Sequence, residues 1–198
     1  MNNFLAIDVS SRYLTVLAKK GKREAFRYLP DCAMKHSVVL MEEIDKSLKE
    51  IDLSPAECDF FAAVTGPGSF TGIRIGISTA KGFALATGKP LASITSFDLI
   101  AYNVTDESFY VVIDAMHGFY YVCGYGKGRE IIFPPRYMKE DEVISLGGKL
   151  YGFENLNLPR YAKLDAGKCL FKAAEYCKPS DEMHALYVRK SQAEEGRK

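Results

Sequence analysis

An internal repeat dominates this sequence. Three matches share a single offset without a gap, and they superpose Ile7-Asp8 on Ile113-Asp114, Val16 on Val122, and Arg23-Glu24 on Arg129-Glu130. Both halves then read strand–strand–strand–helix–strand–helix. We predict a duplicated α/β protein with two lobes, residues 1–104 and a smaller 105–198 whose tail packs back on the first. The matched identities are few, so chance similarity is the alternative.

The hydrophobic periodicity predicts the elements of each half. In the first half we expect strands at 4–9, 13–18, 23–29, 59–64 and 91–94, with helices at 36–50, 71–87 and 96–103. The first helix shows an apolar repeat at three- and four-residue intervals, formed by Val38, Met41, Ile44, Leu48 and Ile51. In the second half we expect strands at 109–114, 118–125, 129–133 and 149–153, with helices at 139–146 and 166–177.

Composition excludes several classes of protein. The 198 residues are 47% hydrophobic with a formal net charge of +1, whereas a protein that binds nucleic acid alone usually has a strong basic excess. The sequence has no apolar run of about 18 residues, so we predict no membrane helix. The N-terminus lacks the pattern of a signal peptide. We therefore expect a cytoplasmic protein. Its five cysteines form no Cys-x-x-Cys pair, which favours free thiols over disulfides or a zinc site.

Two aspartates end equivalent strands of the repeat, Asp8 and Asp114. Ligands of open α/β sheets lie beyond the carboxyl ends of strands, so both should face a cleft between the lobes. We regard Asp8, Ser10, Gly66, Gly68 and Asp114 as a vestigial nucleotide cleft. Acids retained for folding are the favoured interpretation, and Mg-nucleotide binding is the alternative.

The stretch Gly66–Gly76 is a glycine-rich turn that opens a helix capped by Ser69 or Thr71. Its glycines match neither the P-loop nor the Rossmann spacing. The helix has a face of mostly small residues, which are Gly72, Gly76, Thr79, Ala80, Phe83, Ala84 and Thr87. A glycine inside a helix costs about 1 kcal/mol relative to alanine. Close helix–helix packing, inside the lobe or between subunits, would offset that cost, and the sequence leaves both open.

Residues 66–82, GPGSFTGIRIGISTAKG, resemble the signature of the bacterial TsaB (YeaZ) family. Weaker matches are FLAIDVS at Phe4–Ser10, His36-Ser37 at the start of the first helix, and Tyr187-Val188-Arg189 followed by Ser191-Gln192-Ala193-Glu194. The chain departs from the family at Asp114-Ala115-Met116, where an arginine is usual in place of Met116. That departure puts a charge-dependent role for this loop in doubt.

The resemblance implies two ribonuclease-H-like lobes of the sugar kinase, Hsp70 and actin type, the second reduced. It also implies pairing with a larger catalytic homologue, TsaD, or with a second copy when alone, and a complex that includes a small ATPase, TsaE. The complex would form N6-threonylcarbamoyladenosine at position 37 of tRNAs reading ANN codons, with tRNA contacted only through the complex. The implied interface on the first two helices comprises His36, Val39, Leu40, Glu43, Thr71, Gly72, Ile75, Gly76, Thr79, Ala80 and Phe83.

We expect no catalysis, cofactor or metal in this chain by itself. Two histidines one helical turn apart would hold a metal, but Leu40 stands four residues after His36. No HExxH or GxSxG motif indicates a protease. An accessory subunit is therefore the first hypothesis. An ATP-dependent phosphotransferase is the second, and a free-standing RNA-binding module is the third.

Overall fold

Two sheets form the framework of the computed structural model, which describes residues 3–189. The first sheet contains six strands, β1 (Phe4–Asp8), β2 (Leu14–Lys20), β3 (Arg23–Leu29), β4 (Phe60–Val64), β5 (Leu91–Ile94) and β11 (Pro179–Ser180). Their order across the sheet is β11-β5-β4-β1-β2-β3. β1 pairs parallel with β4 and antiparallel with β2, so the N-terminal hairpins form one edge.

The second sheet repeats this arrangement. Its strands are β6 (Phe109–Asp114), β7 (Phe119–Tyr125), β8 (Ile131–Lys139), β9 (Leu150–Gly152) and β10 (Tyr161–Lys163), in the order β10-β9-β6-β7-β8. β6 pairs parallel with β9 and antiparallel with β7, as β1 does with β4 and β2. The shared order confirms the predicted class, a duplicated α/β fold with a reduced second half. The sequence did not predict the short strands β10 and β11.

The repeat holds for strand order but not for register. In the first sheet Ile7 pairs with Val16, whereas in the second Val122 pairs with Val112 and not with Ile113. The second hairpin is therefore shifted by one residue, and the register of β7 with β8 is irregular near Gly124. Such a shift is tolerated because the loop between β6 and β7 differs from the loop between β1 and β2.

Five α-helices cover the sheets. They are α1 (His36–Glu50), α2 (Phe70–Thr87), α3 (Ser96–Ala101), α4 (Glu140–Ser145) and α5 (Ala166–Tyr176). Single 3₁₀ turns occupy Pro55–Glu57 and Lys127–Arg129. The predicted bounds of α1 and β3 are confirmed, and α2 begins one residue before its predicted start. Among residues 3–189, no helix has the length and apolar character needed to cross a membrane.

α1 is rotated relative to the face that its apolar repeat predicted. Ile44 and Leu48 are buried, but Val38 is 76% exposed and Met41 is 54% exposed. The side of α1 that contacts the sheet consists of residues spaced three or four apart from His36 onward. It includes the polar residues Glu43 and Ser47. Apolar residues occur on both sides of this helix, so periodicity alone could not tell which side the sheet covers.

Residues late in the chain return to the first sheet. α5 packs its small and apolar face, including Cys169, Leu170 and Ala173, against Phe4 and Leu17. β11 then pairs antiparallel with β5 and extends the same sheet. These contacts lie on the face of the sheet opposite to α1 and α2, which share a separate core cluster with Leu5 and Ile7. The lobe boundary at 104/105 stays a prediction.

Candidate partner surface and interlobe cleft

The turn before α2 is held by backbone bonds to the loop after β1. Ser69 N–H donates to the carbonyl of Ser10 at 2.7 Å. The side chain of Ser69 accepts from Gly72 N–H at 3.2 Å, so Ser69 is the cap that the sequence predicted as one of two candidates. Two of the amides at this helix start, those of Ser69 and Gly72, are thus already engaged and not available to a phosphate.

The glycines of this segment allow α2 and its turn to lie directly against the β1 strand and the residues after it. A Cβ atom added to Gly72 would stand 1.9 Å from the carbonyl oxygen of Val9, and one added to Gly68 would stand 2.2 Å from that of Ser10. A Cβ on Gly76 would stand 3.1 Å from Val9 Cγ2. The close packing expected between helices is therefore, at these positions, packing of a helix on a strand end inside the lobe.

The predicted interface residues divide by exposure. Those buried within the lobe are His36, Leu40, Glu43, Gly72, Gly76 and Ala80. Those half-buried are Val39, Ile75, Thr79 and Phe83, while Thr71 is exposed. The buried residues lie on the sides of α1 and α2 that face the sheet, so they pack beneath the exposed surface of the two helices. His36 is 3% exposed, and its Nε2 lies 3.0 Å from the carbonyl oxygen of Tyr13.

A groove runs between α1 and α2, and we call it the α1/α2 groove. Its upper end, near the starts of both helices, encloses about 500 Å³ and is lined by Ser37, Leu40, Met41, Phe70, Thr71, Arg74, Ile75, Ser78 and Thr79. Its lower end encloses about 450 Å³ and is lined by Met41, Ile44, Asp45, Leu48, Lys49, Asp52, Leu53, Ser54, Pro55, Glu57 and Phe83. Met41 borders both ends. Among its exposed residues, the sequence predicted Thr71 for the interface but missed Met41, Phe70 and Arg74.

Arg74 is fixed at the upper end by two aromatic side chains. Its guanidinium lies 3.8 Å from the centroid of the Phe70 ring, and its Nε donates to the hydroxyl of Tyr187 at 3.3 Å. The rings of Phe70 and Tyr187 are 5.1 Å apart. Leu186 N–H donates to the carbonyl of Thr65 at 2.8 Å, which holds this late segment against the turn before α2. The matching motif at 191–194 lies outside the described residues.

Asp8, at the end of β1, is covered rather than open to the cleft. It is 1% exposed, and its Oδ1 accepts from the amide of Ser10 at 2.9 Å and from the Ser10 hydroxyl at 2.7 Å. A hydrogen bond with the Tyr13 hydroxyl and the bonds from Ser10 favour the carboxylate, but burial outweighs them and raises the pKa of Asp8. A nucleotide-bound cation could reach this carboxylate only if its cover moved.

Asp114, at the equivalent strand end, repeats the same local turn. Its Oδ1 accepts from the amide of Met116 at 2.8 Å, two residues ahead, as Asp8 does from Ser10. Both acids therefore close a side-chain turn at the end of a strand. Gly66, in the turn after β4, has a φ of +104°, and a Cβ there would stand 2.8 Å from Ile73 Cδ1. The space beside Gly66 is therefore filled by protein atoms.

Glu154 is a further acid of the cleft that sequence reasoning missed. Its Oε2 is buried without a hydrogen-bond partner, and burial together with the nearby charge of Asp114 raises the pKa of Glu154. It follows β9 with no motif around it, so only the fold reveals its position. Within residues 3–189, no group of three His, Cys, Asp or Glu side chains could hold a metal ion.

Comparison with known proteins places this chain in a family. The model of the family described as TsaD: tRNA N6-adenosine threonylcarbamoyltransferase matches residues 29–183, well over half of the chain. The chain belongs to this family. Within it, the sequence is 30% identical over 99 residues to the tRNA threonylcarbamoyladenosine biosynthesis protein TsaB of Bacillus subtilis (strain 168). That alignment covers 50% of this chain and 43% of the relative.

Other similar proteins are named either as the threonylcarbamoyltransferase or as YeaZ. A tRNA N6-adenosine threonylcarbamoyltransferase of Rhizobium etli (strain ATCC 51251 / DSM 11541 / JCM 21823 / NBRC 15573 / CFN 42) is 37% identical over 85 residues, which cover 42% of this chain and 23% of the relative. The solved structure of YeaZ from Pseudomonas aeruginosa superposes with a TM-score of 0.78 at 19% identity, covering 94% of this chain and 100% of that one. The resemblance to TsaB (YeaZ) is confirmed. The chain spans less than half the length of the TsaB relatives it matches.

Proposed function

We propose that this chain is a non-catalytic accessory subunit that binds and supports a TsaD-type catalytic homologue. The complex forms N6-threonylcarbamoyladenosine at position 37 of tRNAs reading ANN codons, in the cytoplasm, and includes a TsaE-type ATPase. The observation that carries the proposal is the contrast between two sites. Asp8 is buried, Asp114 is half-buried and both are engaged in local turns, while the α1/α2 groove presents apolar side chains to solvent.

The exposed apolar residues of the groove give it the character of an interface. Met41 and Phe70 are 54% and 39% exposed, and both line the groove. Clustered apolar exposure of this kind marks interaction sites more often than isolated surface residues do. Half-buried Ile75 and Phe83 line its two ends. A helix pair from the partner can therefore bury its own apolar face in this groove.

Direct recognition of tRNA by the chain alone has less support. The net charge is +1, and Arg74 is the single cation among the described residues that line the upper end of the groove. Nucleic-acid affinity depends on neutralising several phosphates. We accordingly assign tRNA contact to the assembled complex.

Binding to the purified TsaD-type homologue from the same genome tests the proposal. Met41→Glu should weaken binding by about 2 kcal/mol or more, because it places a charge in the centre of an apolar interface. Ile132→Glu is the matched control, since Ile132 is 52% exposed on β8 of the second lobe. It should leave affinity unchanged. Equal affinities for wild type, Met41→Glu and Ile132→Glu would contradict the groove assignment.

An assay of the isolated chain tests the non-catalytic role. The chain alone should show neither nucleotide turnover nor tRNA modification, and should stimulate threonylcarbamoyl transfer when the homologue is added. Micromolar affinity of the isolated chain for Mg-ATP, lost in Asp114→Ala, would favour the phosphotransferase alternative instead.

A further inference from the structure

Residues 186–189 cross the junction between the two halves with side chains that alternate in environment. Leu186 and Val188 pack against a core cluster to which both halves contribute. Tyr187 is 47% exposed, and Arg189 is half-buried. The segment therefore places a tyrosine and an arginine at the surface of this junction.

Arg189 contacts an aromatic stack of the second half. Its guanidinium lies 4.9 Å from the centroid of the Tyr137 ring, and its Nη1 donates to the Tyr137 hydroxyl at 2.9 Å. The Tyr137 ring stacks on Phe119 with centroids 4.7 Å apart and planes 1° from parallel. Lys139 pairs with Phe119 in the ladder between β7 and β8, so the two side chains emerge on the same face of the sheet. This edge of the second sheet thus combines two half-buried rings with two cations.

Tyr187 continues the pattern into the first half, because it contacts Phe70 and Arg74 at the upper end of the α1/α2 groove. Two clusters of rings and guanidinium groups, joined by residues 187–189, therefore span both halves. We call them together the aromatic–arginine strip, which consists of Arg74, Phe70, Tyr187, Arg189, Tyr137 and Phe119.

The strip has the composition of a surface that binds unpaired nucleobases. A base stacks on an aromatic ring or on the plane of a guanidinium group, and cations beside the rings neutralise the phosphates between the bases. Among residues 3–189, neither Arg74 nor Lys139 forms an ion pair with a carboxylate, so both charges can meet a phosphate. An acidic peptide would pair with the cations, but it would make no use of the exposed rings of Phe70 and Tyr187.

We propose that the aromatic–arginine strip stacks on unpaired bases of the tRNA in the assembled complex. The inference rests on the proposed function, because the chain binds RNA here together with its TsaD-type homologue. Phe70 and Arg74 also line the upper end of the α1/α2 groove, so the strip adjoins the surface that we propose for the homologue. The net charge of +1 gives the chain alone few phosphate contacts. The strip accordingly adds contacts to bases, and the rest of the complex neutralises most of the phosphates.

Fluorescence anisotropy of labelled tRNA, titrated with the chain at saturating homologue, tests the strip. Tyr187→Ala should weaken tRNA binding by about tenfold or more, whereas Tyr187→Phe, which keeps the ring, should stay within about threefold of wild type. Arg189→Ala should weaken binding and lower the slope of log affinity against log salt concentration by about one. Tyr176→Ala is the matched control and should leave affinity unchanged. Tyr176 is also an exposed, stacked tyrosine, with its ring 5.0 Å from that of Tyr102, but it lies on α5 outside the strip.

Three outcomes would overturn the inference. Equal tRNA affinity of Tyr187→Ala and Tyr176→Ala would show that the strip contacts no base. Equal weakening by Tyr187→Ala and Tyr187→Phe would assign the effect to the hydroxyl that holds Arg74 and not to a stacked ring. Weaker homologue binding by Tyr187→Ala, with unchanged tRNA affinity at saturating homologue, would make the strip a protein contact.

The failure of this inference is distinguishable from the failure of the proposed function. Homologue binding that is lost in Met41→Glu and kept in Ile132→Glu supports the groove whatever the strip variants do to tRNA. If wild type does not bind the homologue, the proposed function fails, and the same variants are compared as isolated chains at low salt, where phosphate contacts are strongest. The same ranking is expected there, and equal affinities would overturn the strip as well. Circular dichroism confirms that each variant is folded.

Discussion

Alanine substitution of three glycines in α2 will show what those glycines are for. Gly72, Gly76 and Gly82 lie on one helix, but a Cβ meets a backbone oxygen at 1.9 Å in the first, a methyl group at 3.1 Å in the second, and nothing within 4 Å in the third. The difference in intrinsic helix propensity between glycine and alanine is the same at all three positions. The series therefore separates the cost of a blocked position from the gain that alanine gives to any helix.

Gly82→Ala should stabilise the protein by about 1 kcal/mol, the difference between the two residues inside a helix. Gly72→Ala receives the same gain but forces a methyl group into the carbonyl of Val9, which cannot rotate away. Overpacking costs about 1–3 kcal/mol, and the 1.9 Å contact justifies the upper value. The net loss is about 2 kcal/mol, so the two variants should differ by about 3 kcal/mol. Gly76→Ala should lie between them, because a side-chain methyl of Val9 can shift.

Urea denaturation followed by circular dichroism measures these differences directly. Thermal denaturation should separate Gly72→Ala from Gly82→Ala by about 6–12 °C for a chain of this length. If the two variants agree within about 0.5 kcal/mol, α2 does not need glycine to contact β1, and the packing reason given for Gly72 is wrong. Folded Gly72→Ala should still bind the homologue, because Gly72 is buried under the groove and not in it.

Three further predictions concern buried polar groups. Asp8→Asn should stabilise the protein at pH 7 and lose that advantage as the pH falls. The reason is that burial raises the pKa of Asp8 in the folded state, so its ionisation opposes folding above the unfolded-state pKa. A destabilisation by Asp8→Asn that grows with pH would contradict this. Tyr125→Phe should cost about 1 kcal/mol in urea denaturation, since it removes the hydrogen bond from the buried Tyr125 hydroxyl to Asp98 Oδ1 at 3.1 Å; an unchanged free energy of unfolding would show that this bond has no net value. All five cysteines are free, and burial raises the pKa of Cys58 to about 12 and of Cys177 to about 11. Thiol reagents at pH 8 should therefore react within minutes only after denaturation, and rapid labelling of the native protein would contradict the burial.

The sequence predicted the succession of strands and helices along both halves because hydrophobic runs and turn residues recur in both. It predicted Ser69 as one possible cap because a hydroxyl before an apolar helix satisfies the free amides. It could not predict which side of α1 faces the sheet, since Val38 and Met41 continue the apolar repeat and yet are exposed. That choice is made by tertiary packing of α1 against β2 and β3, which no local pattern encodes.

The same limit explains why the groove was only partly predicted. Residues inferred from the small-residue face of α2 turned out to contact Val9, because small size serves close approach to a strand as well as to another helix. Arg74 gave no signal, since its environment depends on Tyr187, which lies 113 residues later in the chain. Glu154 was missed for the same reason, because its neighbour Asp114 belongs to another strand.

The duplicated strand ends show why similar acids need not imply similar chemistry. Asp8 and Asp114 both accept an amide two residues ahead, so each terminates its strand by a local turn that any aspartate at this position can form. Their exposure differs, because Ser10 and Tyr13 cover Asp8 whereas Asp114 remains half-buried beside Glu154. A pair of acids that together held a cation would require both to reach one point in the cleft. Since Asp8 is enclosed, the two strand-end acids do not meet that requirement in this structure, and the α1/α2 groove is the surface that we propose for contact with other proteins.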